Sequence, residues 1–267
     1  SFIEKNGGDM KFISKIESSC GVKNLDEIID ASDGIMVARG DLGVEVPVEK
    51  LPELQKIIIK RSKEKGRAVI TATEMLESMI YNNRATRAEV SDVANAVYDG
   101  TSVVMLSGET AMGKFPVQAV ETMAKIARET EKHINYAKRF LTSNYKITNT
   151  TDVVSHSAVS ASLIQNTKAI VVFSQSGTSA QMISRFRPLV PIIGATPNEK
   201  VYRQLELSWG VIPVLTSEYN STDEMFKIAD EIVKKKKFAK AKDTIIITCG
   251  TPKQNGCTNL IKIDTVK

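Results

Sequence analysis

The stretch Gly34-Ile35-Met36-Val37-Ala38-Arg39-Gly40-Asp41-Leu42-Gly43 decides the fold class, because an apolar run ends abruptly in an arginine, an aspartate and two glycines. A short continuous apolar run bounded by turn residues reads as a strand buried on both faces. Residues 12–16, 68–73 and 103–106 repeat the pattern, and polar residues cluster at each end: Lys15 and Glu17, Thr73 and Glu74, Ser107 and Glu109. Stretches 25–31, 48–65, 88–98 and 117–134 carry apolar residues at helical spacing. Strands alternating with helices predict parallel pairing through helical crossovers, hence an α/β fold. In such folds, and above all in barrels, the C-terminal ends of the strands are where ligands are handled.

Farther along, residues 137–152 lose this rhythm, and Thr, Ser and Asn gather in 142–151. The expected domain boundary is near residue 140, giving domains at residues 1–140 and 141–267. Beyond it, helices at 153–165, 179–186, 199–207 and 222–236 alternate with strands at 169–173, 192–195, 211–215 and 244–248, and a final strand spans 260–263. That is a second, separate α/β domain.

Composition excludes several classes. With 42% hydrophobic and 25% charged residues among 267, the chain is neither disordered nor collagen-like. No apolar run approaches the roughly 20 residues of a bilayer helix, so no membrane span is expected. No basic-then-apolar leader precedes residue 5, and the absent initiator Met suggests a processed or truncated piece. Three cysteines, Cys20, Cys249 and Cys257, are too sparse for a disulfide framework, and a reducing cytoplasm is the expected setting. The net charge of +5 divides into −1 for residues 1–140 and +6 for 141–267. A basic second half suits an anionic small molecule or nucleic acid. Its densest run, Lys234 to Lys237, ends an amphipathic pattern and complements a helix dipole. No aromatic-rich basic stripe accompanies it, so no nucleic-acid partner is expected.

Several constellations carry chemistry. Glu17 and Asp41 each sit just past a strand, where two carboxylates could hold a divalent cation and leave positions open for substrate, or could be unrelated surface acids. Lys15 shares a strand face with Glu17, so it either neutralises developing charge, forms a Schiff base if its pKa is depressed, or simply pairs with Glu17. The glycine turn at Arg39, Gly40 and Asp41 could present N–H groups to an anion, and Thr73 a hydroxyl, although a barrel threonine also packs. Ser174-Gln175-Ser176-Gly177-Thr178-Ser179 joins a strand to a helix start, where four hydroxyls and a glycine form either a phosphate nest or a helix cap. His133 and His156 have no partner at metal-ligand spacing.

Taken together, Ser14-Lys15-Ile16-Glu17, Asp33 through Gly43, Thr73-Glu74-Met75-Leu76-Glu77-Ser78-Met79, Thr86-Arg87-Ala88-Glu89, Asp92 through Val97 and Met105-Leu106-Ser107-Gly108-Glu109-Thr110-Ala111 closely resemble the pyruvate kinase family. Ser176-Gly177-Thr178-Ser179 and Arg187-Pro188 extend the resemblance into the second domain. It implies the second half of a (β/α)8 TIM barrel, strands five to eight, then a three-layer α/β effector domain. Ser1-Phe2-Ile3 resembles the end of the fourth strand, and the first strands and lid have no counterpart here.

The implied reaction is glycolytic phosphoryl transfer from phosphoenolpyruvate to ADP, giving pyruvate and ATP. By the resemblance, Glu17 and Asp41 bind Mg²⁺ or Mn²⁺, and Lys15 neutralises the phosphoryl group and the enolate oxygen. The backbone at Arg39, Gly40 and Asp41, with the Thr73 hydroxyl, holds the substrate carboxylate. Thr73 and Ser107 lie by the water path that protonates the enolate. The resemblance also implies K⁺ in the full-length protein, a homotetramer, and a sugar-phosphate or nucleotide effector at Ser174, Ser176, Gly177, Thr178 and Ser179. The chain departs from the family pattern at Glu74 (usually Gln), Ser18 (commonly Asn), Ala85 (commonly Pro) and Gln175 (Lys in some fructose-bisphosphate-regulated members). Two other readings remain open: a metal-dependent aldolase or lyase on a related barrel, and an effector-binding and assembly module without catalysis of its own.

Overall fold

The computed structural model describes residues 5, 7–143, 145–251 and 258–267. Cys257 and the residues compared with a fourth barrel strand lie outside the described residues. The chain forms two compact units that part between Ile134 and Asn135.

The first unit is built on four parallel strands, β1 (Ile13–Ile16), β2 (Gly34–Ala38), β3 (Ala68–Ala72) and β4 (Val103–Val104), in that spatial order. Helices α1 (Ser19–Lys23) and α2 (Leu25–Asp30) follow β1; α3 (Arg39–Glu45) and α4 (Leu51–Glu64) follow β2. α5 (Arg87–Asp99) precedes β4, and α6 (Gly108–Ala111) and α7 (Pro116–Lys132) follow it. Ile16, Ile35, Val37 and Val69 from the strands pack with Leu25, Ile29, Ile58 and Ile59 from the helices, all at most 1% exposed. This is the parallel α/β architecture that the alternation predicts.

Register positions the site. Ile16 pairs with Val37 and Ala38 with Ala72, so β1, β2 and β3 end level and Glu17, Arg39 and Thr73 emerge on one rim. Gly34 permits the close approach, since a Cβ there would lie 3.2 Å from the Ala68 carbonyl and 3.3 Å from Ile13. Two expectations need correction. Residues 39–43 are the first turns of α3 rather than a glycine turn. The third strand stops at Ala72, because Thr73 and Glu74 adopt φ of 68° and 52°.

The second unit opens with α8 (Tyr136–Thr142), which the polar composition around residue 140 concealed. Its Phe140 lies 4.7 Å from the His156 ring and 6.0 Å from that of Phe186, so burial recruits α8 to this unit and moves the division to residues 134/135. Then follow α9 (Thr150–Ile164), β5 (Ile170–Phe173), α10 (Thr178–Ser184), β6 (Ile192–Thr196), α11 (Glu199–Leu205), β7 (Val211–Leu215), α12 (Thr222–Lys235), β8 (Thr244–Cys249) and β9 (Leu260–Thr265). The sheet order is β7-β6-β5-β8-β9; only β9 runs antiparallel, against β8. Every residue of β5 and β6 is buried, as strands covered by helices on both faces require. Separate cores on the two faces complete three layers.

Candidate functional site

The rim of the first unit gathers the chemistry-bearing residues. Lys15 and Glu17, on and just past β1, form an ion pair through Lys15 Nζ and Glu17 Oε1. The hydrogen bond with Glu17 and its charge push the Lys15 ammonium above its ordinary value, and Asp41 pulls in the same direction. Contact with Lys15 holds the Glu17 carboxyl below its usual range against the opposing desolvation, again helped by Asp41. The three residues therefore form one electrostatic group. A protonated lysine is a counter-cation and a poor Schiff-base nucleophile, and the raised direction favours the first role.

Asp41 sits in the first turn of α3, whose opening N–H groups lack intrahelical partners. One of them, Gly40 N–H, donates to Thr73 Oγ1 at 2.9 Å, and that hydroxyl donates to the Ala72 carbonyl at 2.6 Å. Thr73 thus joins β3 to the start of α3. A β-branched residue at positive φ is strained by about 1–3 kcal/mol and persists only where its surroundings enforce it.

The enforcing group is the Arg39 side chain, 6% exposed. Its Nη2 and Nε donate to the Thr73 carbonyl at 2.5 and 3.2 Å, and its Nη1 donates to both Asp92 carboxylate oxygens at 2.8 and 2.7 Å. Arg39 therefore presents only its backbone to the rim. The motif around Arg39 pointed to its backbone and not to the structural work of the guanidinium. An arginine directly after a buried strand, with an aspartate on the facing helix, was the available signal.

Ser107 precedes α6 on the rim beyond β4. Its N–H donates at 2.8 Å to Glu109 Oε2, whose other oxygen accepts from Leu76 N–H at 3.1 Å. Glu74 is exposed beside Thr73.

The donor set suits a hard divalent cation. Glu17 and Asp41 supply carboxylate oxygens at the ends of neighbouring strands, and no cluster of three or more His, Cys, Asp or Glu gathers among the described residues. Two carboxylates, with substrate oxygens and water completing the shell, match how Mg²⁺ is commonly held. Cys249 fits no such role, since burial pushes its thiol up to about 11.

In the second unit, Ser174 to Ser179 follows β5, where the strand order reverses: the chain runs β5 to β6 to β7 on one side, then places β8 on the other. Open α/β sheets bind ligands outside such a switch point. Gly177 takes φ 83°, a conformation only glycine adopts freely. Ser174 is buried and its Oγ accepts from Gly177 N–H at 2.9 Å, so it shapes the turn. Ser176 and Thr178 are exposed, their hydroxyls 3.0 Å apart, and Ser179 Oγ contacts Thr258 Oγ1 from the stretch after β8.

Comparison with known proteins places both units. A family model described as pyruvate kinase, barrel domain, matches residues 1–120, and one described as pyruvate kinase, alpha/beta domain, matches 152–264. A pyruvate kinase of Clostridium acetobutylicum is 46% identical over 270 residues, covering 99% of this chain and 57% of its own length. One from Lactococcus lactis is 45% identical over 264 residues, 99% of this chain and 53% of its own. One from Chlamydia muridarum is 50% identical over 218 residues, 80% of this chain and 45% of its own. The chain spans about half the length of the curated relatives it matches. Matched in order through its barrel strands and its α/β unit, the chain belongs to the pyruvate kinase family.

Proposed function

We propose that the protein containing this chain transfers a phosphoryl group from phosphoenolpyruvate to ADP, and that this chain supplies the metal-binding and enolate-handling half of the site. The observation that carries the reading is the convergence of Lys15, Glu17, Asp41 and Thr73 on one rim of level strand ends. Glu17 and Asp41 hold Mg²⁺ or Mn²⁺, which when bound neutralises charge on the transferring phosphoryl group. Lys15, kept protonated by its acidic neighbours, stabilises the negative charge on the phosphoryl and enolate oxygens. The α3 backbone holds the substrate carboxylate together with Thr73 Oγ1, which turns its proton from the Ala72 carbonyl to do so, and Arg39 fixes Thr73 from beneath. Thr73 and Ser107 then stand beside the carbon that takes up a proton as the enolate becomes pyruvate. K⁺ and a homotetramer belong to the same reading by family membership.

Ser176, Thr178 and Ser179 take up a phosphorylated effector, a sugar phosphate or nucleotide, at the switch point. Ser174 and Gly177 shape the turn that presents them.

A coupled assay of pyruvate formation by the protein containing this chain, with and without ADP, tests the catalytic reading. Pyruvate formed only with ADP, together with ATP, is expected. Pyruvate released from a 4-hydroxy-2-oxo acid, with neither phosphoenolpyruvate nor ADP present, would instead assign an aldolase or lyase.

A further inference from the structure

We propose that Glu109 is a positioning residue: its buried carboxylate bridges the loops after β3 and β4 and sets Thr73 and Ser107 in register for protonation of the enolate. This rests on the function proposed above.

Glu109 is 3% exposed, and no cation pairs with it among the described residues. Burying a carboxylate without a counter-charge is costly unless hydrogen bonds replace the lost water. Here each oxygen accepts one backbone N–H: Oε2 from Ser107 at 2.8 Å and Oε1 from Leu76 at 3.1 Å. The two donors belong to different loops. Leu76 is fully buried and lies three residues beyond the strained Thr73, in a stretch with no strand pairing; Ser107 is itself a proposed participant. The pairing of β3 with β4 covers only Ile70 with Val103 and Thr71 with Val104, and past Met105 N–H, which donates to the Thr71 carbonyl, the ladder no longer ties these rims. Glu109 takes over where the ladder stops.

The chemistry requires an acid. A carboxylate offers acceptors to both donors, whereas a glutamine of the same shape offers one oxygen and turns an NH₂ against the second N–H. Glutamine should therefore preserve packing while releasing one loop. The metal carboxylates and Lys15 stand on the β1 and β2 ends, outside this bridge.

The test compares Glu109→Gln and Glu109→Asp with the unsubstituted protein containing this chain. In Glu109→Gln, kcat and the rate of hydrogen exchange at the pyruvate methyl group should fall together, roughly ten- to a hundredfold, as a misplaced proton-transfer geometry requires. Mn²⁺ affinity should stay within about twofold, because Glu17 and Asp41 stand outside the bridge, while KM for phosphoenolpyruvate should rise only modestly, since Thr73 is one of several groups on the substrate carboxylate. Glu109→Asp, still acceptor-only, should recover more of kcat than glutamine does. An unchanged kcat in Glu109→Gln, or losses of kcat, KM, Mn²⁺ affinity and melting temperature in parallel, would overturn the proposal. If the unsubstituted protein forms no pyruvate, the function proposed above has failed instead. Glu109 is then judged by amide exchange at Leu76 and Ser107 in the glutamine variant, and unchanged protection at both overturns the bridge.

Discussion

The polar rims of the two units are built on opposite plans. In the first, charged side chains lie beneath the rim and hold strained backbone in place: Arg39 and Asp92 grip Thr73, and Glu109 ties Leu76 to Ser107. In the second, the loop after β5 carries hydroxyls and one left-handed glycine, and its contacts are uncharged hydroxyl and backbone bonds, most of them local and one reaching Thr258. The charged investment of the second unit lies elsewhere, in the buried pair Asp152–Arg185 at 2.9 Å, both partners at most 6% exposed. A rim that must stabilise charge during a reaction needs fixed geometry, since preorganised groups do not reorganise at the moment of transfer. The second loop, which we propose only accepts an anion, can rely on adaptable hydroxyls.

The sharpest way to break this contrast is Lys15→Met. Loss of the counter-cation should lower turnover roughly a hundred- to a thousandfold with the fold intact, since Lys15 is exposed and pairs, among the described residues, with Glu17. Steady-state kinetics beside a melting curve would check both halves. Near-normal turnover would remove Lys15 from the chemistry.

Asp152→Ala should do the reverse, costing stability and sparing chemistry. Asp152 pairs with Arg185 and accepts from the Thr148 N–H and hydroxyl at 3.0 and 2.9 Å. Stripping the partner from a buried guanidinium costs about 3–5 kcal/mol. Urea denaturation of the second unit's transition would read the loss. A change below about 1 kcal/mol would mean that the pair is solvated and the contrast overstated.

Glu17→Gln and Asp41→Asn should each weaken Mn²⁺ binding about tenfold, since an amide oxygen is a poorer ligand for a hard cation. Electron paramagnetic resonance titration measures this directly, and unchanged affinity in both variants would place the metal elsewhere.

How much of this could be read from residues alone depends on the range of the interaction involved. The alternation from residue 34 outward, the rim positions of Lys15, Glu17, Asp41 and Thr73, and both sheets' strands come from local patterning, and β2 and β7 occupy the expected stretches. The helix at Arg39–Glu45 did not, because two glycines in seven residues argue against helix while tertiary contacts from Arg39 and Thr73 hold it. The strand order that puts Ser174 to Ser179 at a switch point is a nonlocal property that no local pattern encodes. Nor could spacing show that Ser174 faces inward while Ser176 faces out.

A smaller effect concerns Glu89, which closes the capping box of α5 with Thr86 and also accepts from Ser78 N–H and Oγ at 2.7 and 2.6 Å. Burial pushes its carboxyl up, but the donations from Ser78 and Thr86 outweigh that and hold it below the usual range. A lowered folded-state value stabilises above the unfolded value of about 4.3 and is lost as pH falls through the folded one. Glu89→Gln should therefore cost about 1 kcal/mol at neutral pH and nothing once acid has protonated the carboxyl. Melting curves of both forms from pH 7 downward should converge, and parallel curves would show that Glu89 contributes packing alone.

The smallest expected effect belongs to the hydroxyl loop, and it separates ligand contacts from turn architecture within six residues. Ser176 is exposed and Ser179 half-buried, whereas Ser174 is buried and accepts from Gly177 N–H. Removing outward hydroxyls should weaken a bound phosphate and leave folding alone; removing the inward one should do the opposite. Each lost neutral hydrogen bond on this solvated loop is worth about 0.5 kcal/mol, so a Ser176→Ala/Ser179→Ala double variant should bind roughly fivefold more weakly. Calorimetry of the protein containing this chain with AMP, ribose 5-phosphate, glucose 6-phosphate and fructose 1,6-bisphosphate would identify the ligand. The net +6 of residues 141–267 predicts that affinity falls with added salt. Gln175 argues against the bisphosphate, because it offers no charge to a second phosphate. Ser174→Ala should lower the melting temperature while affinity holds. If none of the four binds, or the double variant binds as tightly as the parent, these hydroxyls only shape a turn, since Gly177 is the N-cap of α10 and no side chain caps it.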